Sequence, residues 1–134
     1  MAEVKCAHSD EFDADIYTFE GELSYKEAHD AVTGYYKGKL TKYVVADFSK
    51  AKVDKLTHWE IRHLAELIQD LGKVRAGCAD ILIAPGPLLY GLARIYSAYV
   101  QPFKHERDAL KTLIFRDIKD AMSFIDVDSA GKNK

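Results

Sequence analysis

The sequence predicts an α/β fold: a mixed β-sheet of about five strands, an N-terminal antiparallel hairpin followed by parallel crossovers, flanked by four helices. Three observations carry this. Short β-branched and aromatic runs alternate with amphipathic stretches after residue 24. Two of those stretches open with capping boxes, Ser24-Tyr25-Lys26-Glu27 and Thr57-His58-Trp59-Glu60, in which hydroxyl and carboxylate each satisfy an orphan amide of the first turn. The central runs 42–48 and 78–84 are apolar with little alternation, as strands covered on both faces are.

Each element follows in order. Glu3 to His8 reads as a weak strand with Val4, Cys6 and His8 on one side, and the acidic segment Ser9–Asp15 as a turn. Ile16–Glu20 is a better strand, paired antiparallel with the first and ended by Gly21. The helix from Ser24 turns Ala28, Ala31, Val32 and Tyr35 inward, and Gly38 closes it. Lys42–Phe48 is a buried strand, Ser49–Leu56 a basic loop. The helix from Thr57 carries Ile61, Leu64, Ala65, Leu67, Ile68 and Leu71 on one face, with Gly72 placed for a left-handed stop. After the strand Cys78–Ala84, Pro85-Gly86-Pro87 turns the chain into a third helix, which runs to about Gln101 and is stopped by Pro102. His105–Asp108 is a polar connector or helix end and Leu110–Phe115 the last strand. Asp117 caps the last helix, with Ile118, Ala121, Met122, Phe124 and Ile125 as its apolar side. Residues 1–127 form the expected domain, and 128–134 a polar, frayed tail.

The 134 residues are 48% apolar and 30% charged, which suits a soluble chain with a core of its own. Cys6 and Cys78 match no metal or redox spacing and indicate a reducing, cytoplasmic setting. No signal peptide is visible, and the apolar stretch 81–100 is interrupted by Pro85, Gly86, Pro87 and Arg94, so no membrane span is expected. The net charge of −2 hides an asymmetry. Residues 1–30 hold nine acids against Lys5 and Lys26, whereas 31–64 hold seven bases against Asp47, Asp54 and Glu60. A basic patch could attract phosphate or an acidic partner; differing solvated faces are the plainer reading. A mildly acidic chain without a recognition motif excludes nucleic acid as the expected partner.

No catalytic signature rises from the residues. His58 and His63 lie five apart, roughly 140° around a helix, where a metalloprotease helix needs its histidines four apart. No ligand spacing joins His8, His29 or His105 to them, so no metal is expected. Ser49 follows a strand but sits in no Gly-x-Ser-x-Gly elbow. No dinucleotide or P-loop glycine pattern is present, and no cofactor is expected. Ligands of open parallel sheets collect beyond the strands' carboxyl ends, which makes Asp47, Ser49, Lys50, Lys52, Pro85, Gly86 and Arg116 the ligand-binding candidates. The third helix is apolar over roughly 220°, against little more than about 100° for a surface helix. With Leu88, Leu92, Ile95 and Tyr99 covering the sheet, Leu89, Ala93, Tyr96 and Val100 are left for a homodimer interface, a pocket or further core. Trp59 falls on the polar side of its helix and is the further interface candidate.

The order of elements, with Phe19-Glu20-Gly21-Glu22-Leu23-Ser24, Val44-Val45-Ala46-Asp47-Phe48-Ser49 and Phe115-Arg116-Asp117-Ile118-Lys119-Asp120-Ala121-Met122-Ser123-Phe124-Ile125, resembles the STAS superfamily, in its SpoIIAA-like branch of small stand-alone bacterial proteins. The resemblance covers about Ala14 to Ile125. It implies a non-enzymatic regulatory or protein-interaction module; well-understood relatives bind a kinase and are switched by phosphorylation of a serine in an Asp-Ser-x-Gly-like turn before the second helix. Here that turn reads Asp54-Lys55-Leu56-Thr57, without the serine or the glycine, so the phospho-switch does not carry over. The branch is also compared with lipid-binding CRAL–TRIO domains. That comparison implies, as the alternative function, a binder or carrier of an apolar small molecule or lipid.

Overall fold

The structure is a computed structural model that describes residues 2–100 and 110–132. A five-stranded sheet runs in sequence order: β1 (Glu3–Ser9), β2 (Ala14–Glu22), β3 (Tyr43–Lys52), β4 (Ala79–Ile83) and β5 (Lys111–Phe115). β1 pairs antiparallel with β2 (Glu3 opposite Glu20, Ser9 opposite Ala14), and every later pair is parallel. Helices α1 (Tyr25–Lys37), α2 (His58–Leu71) and α3 (Pro87–Val100) make the parallel crossovers. Since the strand order advances in one direction and crossovers keep one hand, all three helices pack on the same face. α4 (Ile118–Lys132) follows the last strand and covers the other face. The expected stop at Pro102 and the connector His105–Asp108 lie outside the described residues.

The alternation of strand side chains assigns the two faces. Tyr43, Val45, Ile81 and Ile83 point to α4, where Ala121 and Ile125 are fully buried against them. Phe19, Ala46, Phe48, Leu82 and Ala84 point to α1–α3. Both expected capping boxes are formed: Ser24 Oγ accepts from the Glu27 amide at 3.2 Å, and Thr57 Oγ1 from the Glu60 amide at 3.1 Å.

Several expectations are corrected. The stretch read as a basic loop after Phe48 continues β3 to Lys52, and β2 does not end at Gly21. After a bulge between Thr18 and Glu20 the two strands pair on, Glu20 with Lys50, Gly21 with Ala51 and Glu22 with Lys52, with Gly21 at φ 92°. β4 stops opposite Asp47, so the extension of β3 is polar on one side while Ala51 and Val53 stay buried on the other. This register also sets part of the acidic block beside part of the basic one. Lys50 Nζ is 3.9 Å from Glu20, and Lys55 Nζ is 3.0 Å from Glu22, which the ion pair holds below its usual carboxylate range.

Gly72 does not adopt a left-handed stop; at φ −70° it leads into a 3₁₀ turn, Gly72–Arg75. What it supplies is the missing side chain, because a Cβ there would lie 2.6 Å from Leu110 Cδ2. Gly38 does cap α1, but in extended rather than left-handed backbone (φ −100°). Finally, the expected tail from residue 128 is helical through Lys132, and the Tyr43 hydroxyl donates to the Asp128 carboxylate.

Candidate functional site: an apolar cavity with a polar end

Small side chains decide where this core is incomplete. The sheet offers Ala46 and Ala84 to the three-helix face, and the helices offer Ala28, Ala31 and Ala93 in return. Close packing needs large residues opposite small ones, and alanine meeting alanine leaves volume unfilled. The result is a cavity of about 170 Å³ between β2–β4 and α1–α3. Its walls are otherwise aliphatic and aromatic, including Leu89 and Leu92 of α3, Leu64 of α2, and Phe19 stacked on Phe48 at 5.0 Å.

One end of the cavity is polar. Asp80 is the second residue of β4, deep in the apolar run, and Arg75 comes from the preceding 3₁₀ turn; both line the cavity. A buried charge needs a partner, and here each is the other's: Arg75 Nη1 donates to Asp80 Oδ1 at 2.5 Å, with Arg75 only 2% exposed. Its Nε donates to the backbone carbonyl of Thr41 and its Nη2 to those of Lys42 and Ala79. The same guanidinium lies over the Tyr35 ring, 5.2 Å from its centroid, while the Tyr35 hydroxyl accepts from the Thr41 amide at 2.8 Å. Burial pushes the Asp80 carboxyl up and Arg75 opposes it. A protonated Asp80 would leave Arg75 an uncompensated buried cation, so the two are held as an ion pair.

Tyr96 completes this end. It is half-buried on α3 and lines the cavity, and its hydroxyl makes no hydrogen bond among the described residues. Burial pushes the phenol well above its ordinary value, and the negative charge of Asp80 adds to the rise.

The sequence-level candidates separate in space. The register sets Asp47 opposite Ile83, and Ile83 opposite Phe115, so Asp47, Ser49, Pro85, Gly86 and Arg116 do gather at one end of the sheet. Their polar groups are mostly engaged locally. Asp47 Oδ1 accepts from the Ser49 amide at 2.9 Å and from its hydroxyl at 2.6 Å, and Arg116 lies 4.8 Å from the Tyr90 ring centroid. Lys50 and Lys52 are carried away along the extension of β3, outward on its polar side. In the turn before α2, Lys55 is paired with Glu22 and Thr57 is the helix cap.

The reading of α3 is corrected. Leu88, expected against the sheet, is 64% exposed, whereas Leu89, Ala93, Tyr96 and Val100 face the interior. A uniformly apolar arc does not say which of its sides is inner, and the helix is rotated so that its small residue Ala93 meets the sheet. The pairing face built on those four residues is therefore withdrawn. Trp59 is 65% exposed, between Arg62 at 5.6 Å and His63 at 6.3 Å. Arg62 also lies 5.5 Å from the Tyr99 ring, and Tyr99 bonds His58 at 2.7 Å. Among the described residues no group of His, Cys, Asp and Glu is arranged to hold a metal ion, and no helix is long and apolar enough to cross a membrane.

Sequence reasoning missed Arg75, Asp80 and the role of Tyr96. The signal was present: an aspartate inside an otherwise buried strand demands a cation nearby, and Arg75 lies five residues before it.

No protein-family model matches the sequence, and no curated protein matches it. Among solved structures, an uncharacterized protein of the DUF3478 family from Shewanella loihica PV-4, described as having a SpoIIAA-like fold, is similar at a TM-score of 0.54. It is 14% identical, and the match covers 92% of this chain and 93% of that one. The fold is SpoIIAA-like. An antisigma-factor antagonist, a STAS domain from Rhodobacter sphaeroides, is also similar, with a TM-score of 0.35, 14% identity and 87% of each chain covered. The likeness to the Shewanella protein bears out the fold expected from the order of elements.

Proposed function

We propose that the protein is a non-enzymatic binding module that takes one small apolar molecule into the cavity between its sheet and α1–α3. The observation that carries this is the unfilled space itself. Evolved cores rarely keep a void above water size without cost, each Å³ forgone being worth about 24 cal/mol. Size sets the ligand class. The cavity of about 170 Å³ compares with roughly 150 Å³ for an engineered apolar cavity that admits benzene, and falls short of the roughly 300 Å³ at which drug-sized pockets begin. A single ring or a short branched chain fits that volume; a long-chain lipid would have to extend beyond it. The carrier of whole lipids is thus the weaker form of this reading.

Thermal denaturation and amide NMR of the full chain with toluene test it. Toluene at about ten times its dissociation constant should raise stability by about 1.4 kcal/mol and move the resonances of Leu89, Leu92 and Ala93. No stabilisation and no shifts up to the solubility limit would overturn it.

A regulatory protein-interaction role is the second reading, supported by the cluster of exposed Trp59, Arg62 and His58 with half-buried Tyr99, of which Trp, Arg and Tyr are the types that dominate interface energetics. With α3 turned inward, self-association would use this face. Sedimentation of wild type and Trp59→Glu at high micromolar concentration decides: a dimer lost in the variant supports it, and a dimer unchanged by the charge removes this face from consideration.

A further inference from the structure

We infer that the cavity is built for a neutral molecule bearing one hydroxyl, a small phenol or alcohol, in preference to a plain hydrocarbon or an organic ion. The inference rests on the ligand-binding reading above and names the chemistry of that ligand. Three features lead to it.

The first is Tyr96, half-buried and lining the cavity, whose hydroxyl is without a hydrogen bond among the described residues. A hydrocarbon filling the space satisfies the walls and leaves this group stranded, whereas a ligand hydroxyl can accept from it or donate to it. The second is the state of the charges. Among the described residues Arg75 and Asp80 are the charged residues of the lining, and they cancel each other at 2.5 Å. The Arg75 donors are further spread over the carbonyls of Thr41, Lys42 and Ala79, so the guanidinium is not left aimed at an incoming carboxylate. An anion would add an unbalanced charge beside Asp80, and an ammonium one beside Arg75, both in a low-dielectric setting where isolated charge is costly. The third is that polarity is confined to one end. Beyond Tyr96, Arg75 and Asp80 the described lining adds only the phenols of Tyr35, whose hydroxyl is bonded to Thr41, and of Tyr17, which packs against Tyr35, so a ligand with polar groups at both ends would strand one of them.

Titration of the labelled full chain with p-cresol, toluene and benzoate tests this, with Tyr96→Phe as the decisive variant because it removes a hydroxyl that holds no bond among the described residues. In wild type, p-cresol should bind about tenfold more tightly than toluene, the scale expected of one satisfied buried hydrogen bond. Benzoate should leave the cavity resonances unmoved. In Tyr96→Phe the preference for p-cresol should collapse while toluene affinity is kept. The inference is overturned if p-cresol is no tighter than toluene, if its preference survives in Tyr96→Phe, or if benzoate matches p-cresol. Toluene binding alongside any of these would leave the apolar-ligand reading standing; loss of all binding in wild type would remove both.

Discussion

Replacing Ala93 by leucine puts the empty space to a direct test. Ala93 is 9% exposed on α3 and lines the cavity. The substitution adds three carbons, at roughly 0.8 kcal/mol for each one buried, or about 2.4 kcal/mol. Fixing the leucine rotamer costs about 0.5–1 kcal/mol, which leaves a net gain of about 1.5 kcal/mol. That lies within the ceiling set by the void, since filling all of the about 170 Å³ at about 24 cal/mol per Å³ would yield about 4 kcal/mol. Helix propensity is almost unchanged, so it does not obscure the result. Urea denaturation should show a higher midpoint at constant slope, and thermal unfolding should rise by about 5 °C. The variant should also lose toluene binding. A loss of 1 kcal/mol or more would mean that leucine overpacks a site that is already full, and the reasoning from the cavity would fail with it.

Other perturbations read other parts of the structure. Leu88→Asp should stay within about 0.5 kcal/mol of wild type, whereas Ala93→Asp should cost several kcal/mol, by urea denaturation of both; the opposite order would show that α3 is turned as the sequence alone suggested. Arg75→Met should cost about 3–5 kcal/mol by orphaning Asp80, and the double variant Arg75→Met, Asp80→Leu should recover most of it; a double variant as unstable as the single one would deny that the pair is a closed unit. His8 bonds Asp15 at 2.6 Å and Asp10 at 2.9 Å, and the bond to Asp15 raises its pKa above the usual 6.5. Because the folded value is the higher one, the stabilisation is fully present below about pH 6.5 and is lost as pH rises through the folded value. An NMR titration placing the His8 midpoint at or below 6.5 would contradict this.

What the sequence determined by itself was everything that local chemistry writes. Ser24 with Glu27 and Thr57 with Glu60 mark helix starts because a cap is settled within four residues, and both boxes are formed. The runs at 42–48 and 78–84 declare buried strands because residues covered on both faces must be apolar throughout, and the alternation of these strands with helices carried the fold class. Tertiary structure decided what depends on a partner far along the chain. Whether Ser49–Lys52 is loop or strand rests on β2 extending beside it past a bulge. Gly72 is explained by the approach of Leu110, and the rotation of α3 by which side chain fits against Ala46, Phe48 and Ala84. The cavity lies furthest from view. An alanine facing a large residue and an alanine facing an alanine are identical in sequence, and only the packing of helices on the sheet turns the second arrangement into unfilled space.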